Sequence, residues 1–309
     1  MPQIQLFIAT YNRPHLVLNS INSALNQNFD SFEVIVSDNS TNNETELYLS
    51  GLRDKRLSYK RRIPSLSPID HLNAILQDVT YDFFMIFHDD DVMLPNMLEE
   101  LYQMIIKHEN VIAVGANAYL NINGRTTYKQ VFRNSNKNLI LNSKDAVVKQ
   151  LLIRYGIVPF PSYLYRRKVA KELRFEQSKG GKHCDAAFIM DIANLGPIIL
   201  LNKPLMIYTI HNGQGTQNHA FEQRIKLINY ITKTSNFHRK NNLLIKYRVY
   251  NIYSELKEKL LKRDISIISK RYLKIIILIF KKLPLEYCIK ILIISMYSQI
   301  KKQRIKTFK

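Results

Sequence analysis

Short apolar runs that end in polar clusters alternate with stretches whose apolar residues recur at helical spacing, from residue 3 to about residue 115. Gln3 to Thr10 reads as a buried strand broken by Tyr11-Asn12-Arg13-Pro14. Pro14 suits the first turn of a helix, in which Val17, Ile21, Ala24 and Leu25 share a face up to the polar stop Asn26-Gln27-Asn28. Phe32 to Val36 follows as a strand ending at Ser37-Asp38-Asn39-Ser40. A strand-helix-strand unit of this kind predicts a parallel sheet, because the right-handed crossover lays the helix against one sheet face. Ser67-Pro68-Ile69-Asp70 predicts the next helix start, with Asp70 as an acidic capping residue. Phe83 to Phe87 is continuously apolar, as a strand buried on both faces would be, and it runs straight into His88-Asp89-Asp90-Asp91. Pro95 opens a further helix with Met97, Leu98, Leu101, Met104 and Ile105 facing inward, and Val111 to Val114 returns as a strand.

Between about Asn121 and Gly181 the regularity fades, leaving a strand at Ser162 to Tyr165 and a helix near Asp145 to Ile153. Asp185 to Leu195 then predicts a helix closed by Gly196-Pro197, with strands at Ile198 to Leu201 and Leu205 to Tyr208 before His211. Beyond Ala220 the chain reads as helical to its end, without internal repeats. The whole predicts an α/β fold with a mostly parallel, Rossmann-like sheet and an α-helical C-terminal extension.

Charge divides the chain in two. Of the 45 basic and 25 acidic residues, 22 and 5 lie beyond Ala220, so a segment of net charge +17 follows a body of net charge +3. A body so nearly neutral is not built to track nucleic-acid phosphates, while the basic segment suits an anionic surface. With 46% hydrophobic residues, 9 Gly and 10 Pro, collagen-like and disordered classes are excluded. The distant pair Cys184 and Cys288 supports neither a disulfide framework nor a cysteine-rich zinc module, which fits a reducing cytoplasm. Met-Pro-Gln-Ile-Gln at the start does not read as a secretory signal.

Asp89, Asp90 and Asp91 follow a buried strand, where ligands of open α/β sheets bind. Adjacent carboxylates repel and raise one another's pKa unless a cation or hydrogen-bond donors compensate. Carboxylates beside a nucleotide diphosphate are what Mg2+ or Mn2+ gathers. The alternative is that these residues serve only the dipole of a following helix.

The segments Ala9-Thr10-Tyr11-Asn12-Arg13-Pro14, Val36-Ser37-Asp38-Asn39-Ser40 and Phe87-His88-Asp89-Asp90-Asp91 with Leu94-Pro95 together resemble the family 2 glycosyltransferases of GT-A fold, inverting enzymes of bacterial surface-glycan synthesis. The resemblance covers about residues 3–217 and implies a nucleotide-diphospho-sugar domain at 1–217, followed by a basic helical region at 218–309. It implies a donor pocket lined by Thr10, Tyr11, Arg13, Asp38, Asn73, Asp89 and Asp90, and a metal held by Asp91, Asp89 and His211 of the segment Tyr208-Thr209-Ile210-His211. Asp185 in His183-Cys184-Asp185-Ala186-Ala187-Phe188 matches the catalytic base, and otherwise would only cap its helix. His88 and His183 are candidates to support the ligands, Cys184 reads as packed, and Asp191 as a surface or capping carboxylate. The expected activity is single-sugar transfer with inversion, dependent on Mn2+ or Mg2+, from a nucleotide-diphosphate sugar to a glycan or lipid-linked acceptor. The chain has no Trp and lacks the Gln-x-x-Arg-Trp motif of processive relatives; Gln214-Gly215-Thr216-Gln217 does not replace it.

The apolar stretches Tyr272 to Phe280 and Cys288 to Ile294, separated by Lys281-Lys282 and Pro284, are too short to span a bilayer and suit interfacial helices on an anionic membrane. Packing within the chain, or against a twin subunit in a homo-oligomer, is the alternative. The expected location is the cytoplasmic face of the inner membrane. A nucleotidyltransferase is the nearest competing enzyme class, but its Gly-rich, basic phosphate loop is absent after the first strand; a nucleic-acid-binding protein lacks a recognised module here.

Overall fold

The computed structural model describes residues 3–133, 136–210 and 221–261. The first half alternates as expected: β1 (Ile4–Thr10), α1 (Pro14–Leu25), β2 (Phe32–Asp38), α2 (Glu44–Leu49), β3 (Leu57–Arg61), α3 (Pro68–Gln77), β4 (Phe83–His88), β5 (Val92–Met93), α4 (Met97–Lys107) and β6 (Ala113–Ile122). The second half carries β7 (Arg125–Gln130), β8 (Leu139–Leu141), α5 (Lys144–Leu152), β9 (Tyr163–Arg166), α6 (Arg167–Glu172), α7 (Gln177–Gly180), α8 (Cys184–Ile192), β10 (Ile198–Ile210), α9 (Phe221–Thr234) and α10 (Asn242–Leu261).

The sheet runs β3-β2-β1-β4-β9-β6-β10-β5, with β7 beside β6 and β8 beside β10. The pairs β1/β2, β1/β4, β2/β3 and β6/β10 are parallel, and β9 runs antiparallel between β4 and β6. Helices cover both faces, which is why β1 and β4 are apolar on both sides apart from Gln5 and their last residues, Thr10 and His88. Ile4, Leu6, Ile8, Met85 and Phe87 pack with α1 and α4, while Phe7, Phe84 and Ile86 pack with α3 and α8. Full burial of each such side chain contributes about 1.5–3 kcal/mol. Gln5 is buried among them and satisfied, accepting from Thr80 N–H at 2.8 Å and donating to Thr80 Oγ1 at 3.3 Å. Gly115 lets β9 approach β6: a Cβ there would fall 2.7 Å from the Tyr163 ring.

Three expectations change. The N-cap of α3 is Ser67, whose hydroxyl accepts from Asp70 N–H and donates to the Asp70 carboxylate, so Asp70 sits one turn inside in a reciprocal cap. The two strands expected at Ile198 to Tyr208 are one strand, β10, with its register shifting around Pro204, where a missing N–H favours a bulge. Asp191 is neither exposed nor a cap. It is 5% exposed and joins Lys144 at 2.8 Å, Lys179 at 3.0 Å and the Tyr230 hydroxyl at 2.5 Å.

That last contact ties α9 to α5, α7 and α8. Leu227, Ile228 and Ile231 of α9 and Leu244 of α10 enter the same buried cluster as Val147, Phe188 and Ile192. The beginning of the basic region therefore shares the interior of the sheet-bearing part. Among the described residues no helix is long and apolar enough to cross a membrane. The stretches at Tyr272 to Phe280 and Cys288 to Ile294, like His211, Gln214 and Cys288, lie outside the described residues.

Candidate functional site

Strand order reverses between β1 and β4, and the site forms at the carboxyl ends of these strands. Register sets Thr10 beside Asp38 and Ala9 beside His88, so one rim carries the ends of β1, β2 and β4. Asp89, Asp90 and Asp91 occupy the turn between β4 and β5, and α4 begins only at Met97, so a helix terminus does not account for them.

Each carboxylate has its own surroundings. Asp89 accepts from the Thr10 hydroxyl at 2.8 Å and from Arg13 Nη1 at 3.1 Å. Burial raises its pKa, while Arg13 and Thr10 hold it down. The same guanidinium lies 3.5 Å from Asp90. Asp91 is fully buried; Oδ1 accepts the Thr209 backbone N–H at 2.8 Å, whereas Oδ2 has no hydrogen-bond partner among the described residues. Burial, reinforced by Asp90 and opposed by Thr209, lifts the Asp91 pKa well above the usual carboxylate range. The turn is fixed from below by Ser20, whose hydroxyl bonds to the carbonyls of Asp91 at 2.7 Å and His88 at 3.1 Å.

The other expected donor residues divide. Tyr11 is 49% exposed just past β1. Its neighbour Asn12 adopts a positive φ of 52° and bonds to Ser40 and Thr41, joining the loops after β1 and β2. Asp38 is fully buried, with Oδ1 accepting from Ser40 and Oδ2 from the Tyr59 hydroxyl at 2.6 Å. Asn73 uses its amide in both directions on the Phe175 backbone, at 3.0 and 2.8 Å, which pins the segment before α7 to α3.

Asp185 opens α8 and accepts the Ala186 N–H at 2.8 Å. Burial raises its pKa, with the Ala186 bond and the nearby His88 opposing. His88 leans on Phe160 (6.0 Å between centroids), Phe160 on Phe175 (5.8 Å) and Phe175 stacks on Phe188 of α8 (4.0 Å), so an aromatic chain links the acidic turn to the helix of Asp185. Tyr208 of β10 feels Asp91, Asp185 and Asp90 together, and with burial this pushes its phenol upward. Burial likewise raises the Cys184 thiol to about 12, which fits a packed, unreactive side chain.

Ser20 and the backbone amide of Thr209 are not apparent as site groups in the sequence; hydroxyls and backbone amides of this kind carry no local signal. A divalent cation fits the donor set, since the oxygen of Asp91 that lacks a partner is buried beside two further donors of a histidine and an aspartate.

Relatives give the same picture. A glycosyltransferase of Haemophilus influenzae of undetermined specificity is 22% identical over 82% of this chain and 87% of its own length. A Campylobacter jejuni GalNAc(5)-diNAcBac-PP-undecaprenol beta-1,3-glucosyltransferase is 26% identical over 56% of each chain, so the present chain spans about half of that relative. Staphylococcus aureus TarS 1-349, solved in complex with UDP-GlcNAc, superposes with a TM-score of 0.60 over 81% of this chain and 73% of its own at 18% identity, which shows a shared fold. The model of glycosyl transferase family 2 matches residues 6–174, more than half of the sequence. The protein thus belongs to glycosyl transferase family 2 and is a glycosyltransferase of GT-A fold.

Proposed function

We propose that the protein transfers one sugar at a time, with inversion, from a nucleotide-diphosphate sugar to a glycan or lipid-linked acceptor in bacterial surface polysaccharide synthesis. The observation that carries this is the convergence of two carboxylate centres, the Asp89–Asp91 turn and Asp185, on one rim joined by His88 and its aromatic chain. Tyr11, Thr10, Arg13 and Asp38 line the donor side, where the Tyr11 ring stacks on the base and Arg13 faces the diphosphate. Asn73 supports this side indirectly, through Phe175. Asp185 accepts the proton of the acceptor hydroxyl as that oxygen attacks the anomeric carbon; the bond from that carbon to the diphosphate breaks, and the nucleotide diphosphate leaves with the electron pair. Asp91 and Asp89, with His211, would hold Mn2+ or Mg2+, which when bound would offset negative charge on the departing diphosphate.

The undecaprenol-linked substrate in the name of the Campylobacter relative supports a lipid-linked acceptor. The basic residues of 218–309 would bring the enzyme to the cytoplasmic face of an anionic inner membrane. Calorimetry with UDP-, GDP-, CMP- and dTDP-sugars, with and without Mn2+, tests donor binding. Product analysis on an undecaprenyl-linked acceptor then tests transfer. Release of nucleotide diphosphate with a β-linked product from an α-linked donor is expected; release of pyrophosphate would make the protein a nucleotidyltransferase.

A further inference from the structure

We propose that His88 is itself a metal ligand, presenting Nδ1 beside Asp91 Oδ2 and an Asp90 carboxylate oxygen as a three-donor face for a divalent cation. The inference rests on reading the acidic turn as a cation site and adds to it an imidazole that a pair of aspartates does not contain.

Geometry is the first argument. One ligand atom each from His88, Asp90 and Asp91 lie within 4.8 Å of one another. His88 Nδ1 and Asp91 Oδ2 are 3.7 Å apart, too far for a hydrogen bond. Donors about 2.1 Å from an octahedral ion stand about 3.0 Å apart when adjacent and about 4.2 Å when opposite; the observed gap lies between the two, within reach of a common ion.

The second argument is an unmet need. Asp91 is 0% exposed and Oδ2 has no hydrogen-bond partner among the described residues, although a buried carboxylate oxygen without one is costly. That oxygen is the one nearest to His88. Asp89 already accepts from Thr10 on one oxygen and Arg13 on the other, which leaves Asp91 the carboxylate with the greater need of a cation.

The third argument is preorganisation. His88 is the last residue of β4, its carbonyl is held by Ser20 and its ring rests against Phe160, so the imidazole projects from a rigid strand end. A mixed nitrogen and oxygen set is a poor match to Mg2+, which prefers oxygen donors, and suits first-row transition ions better.

The experiment is pulsed EPR of the full chain loaded with Mn2+, alone and with UDP, on wild type, His88→Gln, His88→Ala and His211→Ala. The proposal expects nitrogen modulation from a directly bound imidazole in wild type and His211→Ala. It expects shallower modulation in both His88 variants, one imidazole having been removed, with Mn2+ bound at least about tenfold more weakly and thermal unfolding little changed. Mn2+ bound without nitrogen modulation in His211→Ala, or modulation of undiminished depth in the His88 variants, would overturn it while leaving the cation site standing. Absence of any Mn2+ binding to wild type, with UDP present, would overturn the cation reading itself and this proposal with it.

Discussion

Thr10, the last residue of β1, donates its hydroxyl to Asp89 Oδ2 at 2.8 Å, across 79 positions of sequence. The bond joins the ends of neighbouring parallel strands at the point where strand order reverses, so the donor loop after β1 and the acidic turn after β4 cannot move independently. Thr10→Val, which keeps the β-branched shape, should lower stability by about 1.5–3 kcal/mol, the usual worth of a hydrogen bond to a charged group. Thr10→Ser should retain most of it. Denaturant midpoints at constant slope measure both.

Asp185→Asn should leave donor affinity unchanged and reduce turnover by about 10²–10⁴-fold, the contribution expected of a positioned general base. In the wild type the base works only when ionised, and burial raises its pKa. The rate should therefore fall on acidification at a pH above the ordinary carboxylate range. A turnover rate that stayed flat well below about pH 4 would remove Asp185 from this role.

Asp91→Asn should raise the melting temperature at neutral pH while abolishing cation binding. The Asp91 pKa is raised in the fold by burial and by Asp90, so its ionised form costs stability. That cost is absent below the unfolded value of about 3.9, grows as pH rises towards the folded value and is complete above it. The gain in the variant should follow the same course and vanish in acid. Calorimetric scans across pH, without added metal, check the sign.

Asp191 has the opposite sign. Burial would raise its pKa, but Lys144, Tyr230 and Lys179 outweigh that and hold it below the usual value. Its contribution to stability is present above about pH 3.9 and is lost as pH falls through the lowered value. Asp191→Asn leaves Lys144 without its anion and Lys179 with Glu176 alone, and should cost about 3–5 kcal/mol, read from equilibrium unfolding.

A chain ending after Gln217 should aggregate, because it removes Leu227, Ile231 and Leu244 from the interior. Loss of each such leucine or isoleucine side chain alone costs about 2–5 kcal/mol. Removal of residues 265–309 should instead preserve nucleotide binding and release the protein from anionic vesicles. Gel filtration and vesicle flotation distinguish the two.

β1, β4 and the acidic turn were legible because two-sided burial leaves continuous apolar runs, and because three carboxylates at a strand end are chemically conspicuous. The hairpin of β6 and β7 also carries a local signal in the sequence. Asn123-Gly124 is the dipeptide of a tight turn, and both residues have positive φ, 50° and 83°. Other features had no local trace. Ser20, 71 positions from Asp91, holds that residue's carbonyl, and Asp191 meets Tyr230 from another helix 39 positions on. Only the folded chain brings such pairs together, so an ordinary serine and an ordinary aspartate looked unremarkable.

The three aspartates link more than two strands. β4 belongs to the half of the sheet with β1, β2 and β3, whereas β5 pairs with β10 at the opposite edge. The acidic turn is thus a clasp between two halves, buckled by the Thr209 amide on Asp91. Insertions in surface loops of either half leave the clasp shut. A single residue inserted between His88 and Val92 would unfasten it, so this three-residue span is held to a fixed length from both ends.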